Sequence, residues 1–284
     1  MPVWVVKALA VGPGLVVSVV TVALALAAVP APTAAGATVV LAALVAAAGH
    51  GASEGPAAAM VLGARQLRPF ERDELAAVLT QLCSVGLGPP LVELRVKRCR
   101  VIGAIGAGRR TVVVSTGLIE AVVLGDLPSR QAAALVAHSA VMVREGLTRA
   151  DLLIGFASAP WRVTRAAVRG VSSWGRRLPF TRAAWRLRIV VVAVALVQAV
   201  QVGQVGLAVT IAAIGVFSYA LPVWERRWQC LLVRAGDEGV ARAGLRNDLV
   251  AFLGTCPRTE VTKARLRALV PSGPQGPALD LVTC

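Results

Sequence analysis

Ala134-Leu135-Val136-Ala137-His138-Ser139-Ala140-Val141-Met142-Val143-Arg144-Glu145-Gly146 is the stretch on which the reading of this chain turns. Residues 126–130 open a helix, and the apolar positions that follow give it a face to bury. His138 is one of only two histidines in 284 residues. Ser139 follows it directly, and Met142 returns to the same face one turn later. A segment with strand and turn signals precedes this helix. A strongly basic stretch and an apolar run follow it.

Composition sets the class. The chain is 56% hydrophobic with a mean hydropathy of +0.71, too apolar for an ordinary soluble domain, which points to membrane segments. It also carries 30 Lys and Arg against 15 Asp and Glu, a net charge of +15, with Lys only at positions 7, 97 and 263. An excess of that sign has two readings, nucleic acid or anionic lipid. Nothing resembling a nucleic-acid recognition module accompanies it, so membrane lipid is the expected partner and nucleic acid is not. The five cysteines, Cys83, Cys99, Cys230, Cys256 and Cys284, form no Cys-x-x-Cys pair. Reduced thiols on the cytoplasmic side are expected.

Along the chain, an apolar run over residues 11–29 is just long enough to cross the hydrocarbon core. A shorter one over 37–48 extends past His50 and Glu54 toward Leu62. Residues 1–63 therefore read as a transmembrane hairpin. A signal peptide is the competing reading of Lys7, the apolar run and Ala25, Ala27 and Ala28. Cleavage would put the Arg-rich body outside the cell, against the positive-inside rule.

Residues 64–150 read as a small α+β domain. Leu75, Val78, Leu79 and Leu82 have helical spacing, residues 86–90 form a turn, and residues 91–96 alternate as a half-buried strand does. Thr111, Val112, Val113, Val114 and Ser115 form a second strand, and Thr116 to Ile119 lead into a short helix. No acid occurs from 152 to 224. Arg162, Arg165, Arg169, Arg176 and Arg177, interleaved with Trp161, Trp174 and Trp185, make residues 151–188 a basic, lipid-facing interfacial segment. Arg162, Arg165 and Arg169 share one helical face.

Residues 189–223 are the second membrane segment, interrupted by Gln198, Gln201, Gly203, Gln204 and Gly206. One long tilted helix and a hairpin of two short ones both fit. The hairpin returns the chain to the side of Arg226 and Arg227, in keeping with the charge rule. Residues 224–270 read as C-terminal helices and 271–284 as a flexible tail. The expected fold class is mainly α with a small α+β domain, in a multi-pass protein of the cell membrane whose main domain is cytoplasmic.

The order of parts resembles HtpX-type membrane zinc endopeptidases. These have two N-terminal membrane helices, a strand ending in Thr-Thr-Gly-Leu and a helix bearing His-Glu-x-x-His. A second membrane hairpin follows, then a helix with Arg-x-x-Glu-(aromatic)-x-Ala-Asp that supplies the third zinc ligand. Here Ser115-Thr116-Gly117-Leu118 corresponds to the strand end and Leu135-Val136-Ala137-His138 to the start of the zinc helix. Residues 226–235 fall where the third-ligand helix belongs, so that the resemblance covers most of residues 1–245. It implies a zincin-like cytoplasmic domain.

The departures bear on activity. His-Glu-x-x-His puts two imidazoles on one helix face for zinc, with the Glu beside them as general base. Only His138 is retained. Ser139 replaces the base, Met142 the second ligand, Gln229 the third, and Val233 the orienting Asp. Together these losses remove the metal, the activated water and the proton shuttle. A displaced site built from His138, Glu145 and Cys230 needs a distorted backbone, because Glu145 lies two turns from His138.

The expectation is thus a catalytically inactive metallopeptidase relative with no cofactor, in which His138 is a remnant. It would act as a membrane-bound scaffold for a peptide or membrane-protein partner. Thr111, Val112, Val113, Val114 and Ser115 are the candidate peptide-pairing strand, since strand addition needs only backbone hydrogen bonds. The alternatives are an active zinc metalloendopeptidase with a rearranged site and a lipid-associated structural protein.

Overall fold

The computed structural model describes residues 2–49, 54–175 and 180–270. The chain begins with α1 (Val3–Ala27), α2 (Ala31–Gly49), α3 (Glu54–Leu62), β1 (Ala64–Gln66), α4 (Pro69–Glu74) and α5 (Ala76–Ser84). It continues through β2 (Glu93–Lys97), β3 (Ala104–Ala107), β4 (Thr111–Ser115), α6 (Thr116–Val123) and α7 (Ser129–Arg144). It ends with α8 (Asp151–Ala157), α9 (Ala159–Gly175), α10 (Phe180–Gln201), α11 (Val205–Arg242), α12 (Arg246–Thr255) and α13 (Glu260–Leu269). The protein is mainly helical with one small mixed sheet. Two compact units result, residues 1–37 with 157–228, and residues 38–156 with 229–284.

In the first unit, α1 buries Val6, Ala10, Gly14 and Ser18, one small-residue stripe at i, i+4, i+8 and i+12. That stripe receives the start of α9, where the Trp161 ring lies over Gly14 and its backbone N–H donates to Ser18 Oγ at 3.2 Å. Small residues admit such close helix packing. α1 and α11 are each long and apolar enough to cross a membrane by length and composition. The apolar parts of α2 and α10, Ala31–Ala47 and Ile189–Gln201, are shorter.

Residues 189–221 do not form one helix. The chain turns between α10 and α11, at the polar residues the sequence marked, with Gly203 at φ +74°. That left-handed conformation carries no steric cost in glycine. Val192 of α10 packs on Gly215 of α11, which makes the pair a hairpin.

The second unit is built on a four-stranded sheet of order β1-β2-β4-β3. β2 and β4 are parallel, with Leu94 opposite Val112 and Val96 opposite Val114; the outer pairs are antiparallel. All five residues of β4 are buried. Val112 and Val114 point into the larger core with Val96, Leu118, Val136 and Leu249. Val113 points to the other face with Ala58, Ala64 and Leu152. A strand covered on both faces favours an unbroken β-branched run.

This topology corrects two sequence expectations. Thr111, Val112, Val113, Val114 and Ser115 cannot pair with a bound peptide, because β4 already has β2 on one side and β3 on the other. The edge strands are β1 and β3. Nor does the second apolar run extend to Leu62. α3 packs against β1 and β4 in the sheet unit, and Glu54 is buried there. Its carboxylate accepts from the N–H groups of Arg109 at 2.6 Å and Arg110 at 3.1 Å, which fixes the turn between β3 and β4. His50 and the expected tail at 271–284 lie outside the described residues.

Candidate functional site

α7 is the centre of the sheet unit, packed on α5, β3, β4 and α12. Its alanines, Ala132, Ala133, Ala134, Ala137 and Ala140, are fully buried. Small side chains let the sheet and neighbouring helices approach it closely. His138 is also buried, at 9% exposure, and its imidazole faces the segment of α11 from 229 to 242. Its Nε2 lies 3.2 Å from Asp237 Oδ1 and 3.4 Å from the carbonyl of Val233.

Asp237 is in turn gripped by Arg265 of α13, with Nη2 at 2.6 Å from Oδ1 and Nε at 3.0 Å from Oδ2. The result is a His–Asp–Arg chain drawn from three helices. Burial pushes the Asp237 carboxyl up, but hydrogen bonds from His138 and Arg265 outweigh it and hold the group below its ordinary value.

Gly236 makes this approach feasible. A Cβ there would stand 2.4 Å from His138 Nε2, so no other residue fits against the ring. The neighbouring contacts follow the same seam, with Gly239 against Val141 and Arg242 pairing with Glu145 at 2.7 Å.

The geometry decides what His138 can do. Nε2 faces a carboxylate oxygen, a position suited to donating a hydrogen bond. A metal ligand needs that nitrogen deprotonated with its lone pair outward. Met142 on α7 offers only a thioether, and among the described residues no group of three His, Cys, Asp or Glu is placed to hold an ion. The zinc that a His-Glu-x-x-His helix would bind does not fit this donor set. Ser139 is fully buried and its Oγ has no partner among the described residues. A neutral hydroxyl does not take up a proton near neutral pH, so Ser139 does not replace a general base.

Several sequence assignments change place. Gln229 is exposed, whereas the residues facing His138 are Val233, through its carbonyl, together with Gly236 and Asp237. The α11 register opposite His138 is therefore one helical turn later than the sequence expectation, and Asp237, which that reading passed over, is the principal partner. Two glycines three apart in Arg234-Ala235-Gly236-Asp237-Glu238-Gly239 were the available signal for close helix packing. Glu145 is committed to Arg242, so the displaced His138, Glu145, Cys230 site is not assembled. Cys83, Cys99 and Cys256 are free thiols.

The Ser115-Thr116-Gly117-Leu118 stretch is a structural joint. Ser115 Oγ caps α6 by accepting from Leu118 N–H and also accepts from Gly103 N–H, each at 3.1 Å. Thr116 Oγ1 accepts from the Cys99 N–H at 3.2 Å and donates to its carbonyl at 3.1 Å. A Cβ on Gly117 would meet the Arg100 carbonyl at 2.2 Å. Together they tie the loop before β3 to the start of α6.

β3 is an edge strand packed on α7, with Ala104 half-buried, Ile105 exposed, and Gly106 and Ala107 buried. Ser115 N–H donates to Gly103 O, and the register continues with Ile105 opposite Val113 and Ala107 opposite Thr111. The alternation of an antiparallel ladder then turns the N–H and C=O of Ala104 and Gly106 outward.

Among the basic residues, Arg162 is exposed. Arg165 instead turns to Glu225, which it grips with both terminal nitrogens at 2.7 and 3.0 Å, and this hydrogen bonding raises its pKa. That acid lies just past the acid-free stretch. Arg169 lies on α9 with its side chain outside the described residues, as are Arg176 and Arg177 entirely.

No family model matches the chain, and no curated protein or solved structure does either.

Proposed function

We propose that this chain is a membrane-anchored, catalytically inert relative of HtpX-type metallopeptidases that holds extended peptide segments on the edge of its sheet. The carrying observation is the commitment of His138 Nε2 to Asp237, with Arg265 behind it. That is the nitrogen a zinc helix would turn toward its metal.

The register of α11 supports the resemblance. With Asp237 in the slot of the family's orienting Asp, Gly236 takes the small-residue slot and Val233 the ligand slot, where a valine cannot coordinate. The orienting carboxylate survives and now closes on the histidine. Two apolar helices of spanning length supply the anchor. The docking strand is β3, a sheet edge where the half-buried Ala104 beside the exposed Ile105 offers its outward N–H and C=O for strand addition without metal chemistry.

The test uses full-length protein in detergent micelles and fluorescently labelled, unfolded β-casein as a generic extended chain. Binding without cleavage is expected. Ala104→Pro removes an outward N–H while leaving the β4 ladder intact, as edge prolines do. It should abolish binding without unfolding the domain. Cleavage that is lost on His138→Ala, or binding indifferent to Ala104→Pro, would overturn the proposal.

A further inference from the structure

On the face of α7 away from His138, four arginines open onto one cavity of about 440 Å³ in the sheet unit. Ala140, Val143 and Arg144 lie on that side, rotated roughly 140–240° around the helix from His138 at about 100° per residue. Arg109 and Arg110 come from the turn between β3 and β4, Arg144 from the end of α7, and Arg149 from the turn beyond it. Leu91 and Val143 contribute an apolar wall.

Among the described residues, no carboxylate lines the cavity. The acids close to it in sequence are engaged: Glu145 with Arg242, Glu93 with Arg95, Glu54 with the backbone N–H groups of Arg109 and Arg110, and Asp151 in an interaction of its own. None of the four guanidiniums pairs with a described acid. The Glu54 clamp fixes the backbone of the Arg109–Arg110 turn, so both side chains start from set positions at the rim of the cavity.

Four like charges facing one space repel, and an anion of high charge density relieves that repulsion. A guanidinium fork matches phosphate oxygens two at a time. A phosphoryl group has enough oxygens to engage several forks, whereas a single carboxylate leaves most of the charge uncompensated. The apolar wall accommodates an organic group attached to it. We propose that this cavity is a phosphoryl-binding site, filled by the phosphate of a lipid headgroup or of a soluble phosphate ester. The site is independent of the peptide-holding reading.

The experiment titrates the full chain, in phosphate-free detergent micelles, with inorganic phosphate and with glycerol 1-phosphate. It reads calorimetric binding and hydrogen exchange over residues 107–111 and 143–150. Binding with protection of both segments is expected. Arg144→Gln/Arg149→Gln should weaken it by about tenfold or more, the factor that corresponds to about 1.4 kcal/mol. The charge-matched exposed pair Arg98→Gln/Arg100→Gln should leave it unchanged.

Nanodiscs then separate the sources. Protection by phosphatidylglycerol discs without added phosphate, absent in phosphatidylcholine discs, assigns a lipid headgroup. Equal behaviour in both discs, with protection only on adding phosphate, assigns a soluble ester. No binding in micelles together with no protection in either disc would overturn the site. Equal weakening by the two double variants would reduce it to net charge and overturn it as well.

Discussion

Replacing Gly236 with alanine probes the closure on His138 through its own geometry. The added Cβ would lie 2.4 Å from Nε2 and 2.6 Å from Cδ2 and Cε1, about 1 Å inside normal contact. The ring cannot retreat without abandoning Asp237 at 3.2 Å. Overpacking of this kind costs about 1–3 kcal/mol, and loosening a charge-assisted hydrogen bond adds about 1 kcal/mol. Alanine recovers about 1 kcal/mol over glycine in a helix interior. The net loss is then about 1–3 kcal/mol. In a His138→Ala background the obstruction is absent, and the same substitution becomes neutral or stabilising by up to about 1 kcal/mol.

Intrinsic fluorescence is blind to this change, since all six tryptophans and Tyr219 belong to residues 1–37 and 157–228. Hydrogen exchange of peptides covering α7 and residues 229–242, in micelles, reads it directly. An equal loss in both backgrounds, or no loss with His138 present, would refute the reasoning.

Further outcomes follow from other contacts in the sheet unit. Asp237 and Glu71 both have lowered folded pKa values, Glu71 chiefly through its hydrogen bonds from Arg65. Their stabilisation is complete above the unfolded carboxylate range, about pH 4, and is lost as pH falls through the folded values. Exchange protection of α7 should drop there, and by less in Asp237→Asn; an unchanged acid profile in that variant would contradict the assignment. Glu54→Gln turns one acceptor oxygen into a donor facing backbone N–H groups, and should cost about 1–3 kcal/mol, seen as faster exchange at residues 107–111. Gly117→Ala meets the Arg100 carbonyl and should destabilise the joint by about 1–3 kcal/mol. Its signature is deprotection of residues 99–103, and a silent substitution would show that the joint yields.

Local pattern carried much of the fold into the sequence. The helix bearing His138, the β-branched run of β4, the polar break between α10 and α11 and the capped start of α6 all follow from spacing, side-chain stiffness or turn chemistry. Sheet order did not, because a valine-rich strand signals burial on both faces without saying which neighbours flank it. That is why β4 reads as a docking strand and proves to be central, while the short, Gly-containing β3 takes the edge. The partner of His138 was hidden for a different reason. Gln229 and Asp237 are two helical turns apart, and choosing between such positions requires knowing where α11 approaches α7. Gly236 and Gly239 mark the approach, yet only the packing assigns Asp237. Arg165 shows the same limit, since its Glu225 partner lies sixty positions along the chain.

The central claim is that His138 is closed by Asp237 and Arg265 and serves no metal. Zinc content of the purified full chain, after equilibration with zinc and removal of free metal, measures this most directly beside His138→Ala. The account predicts no stoichiometric zinc in either protein. One zinc per chain, lost in His138→Ala, would contradict it.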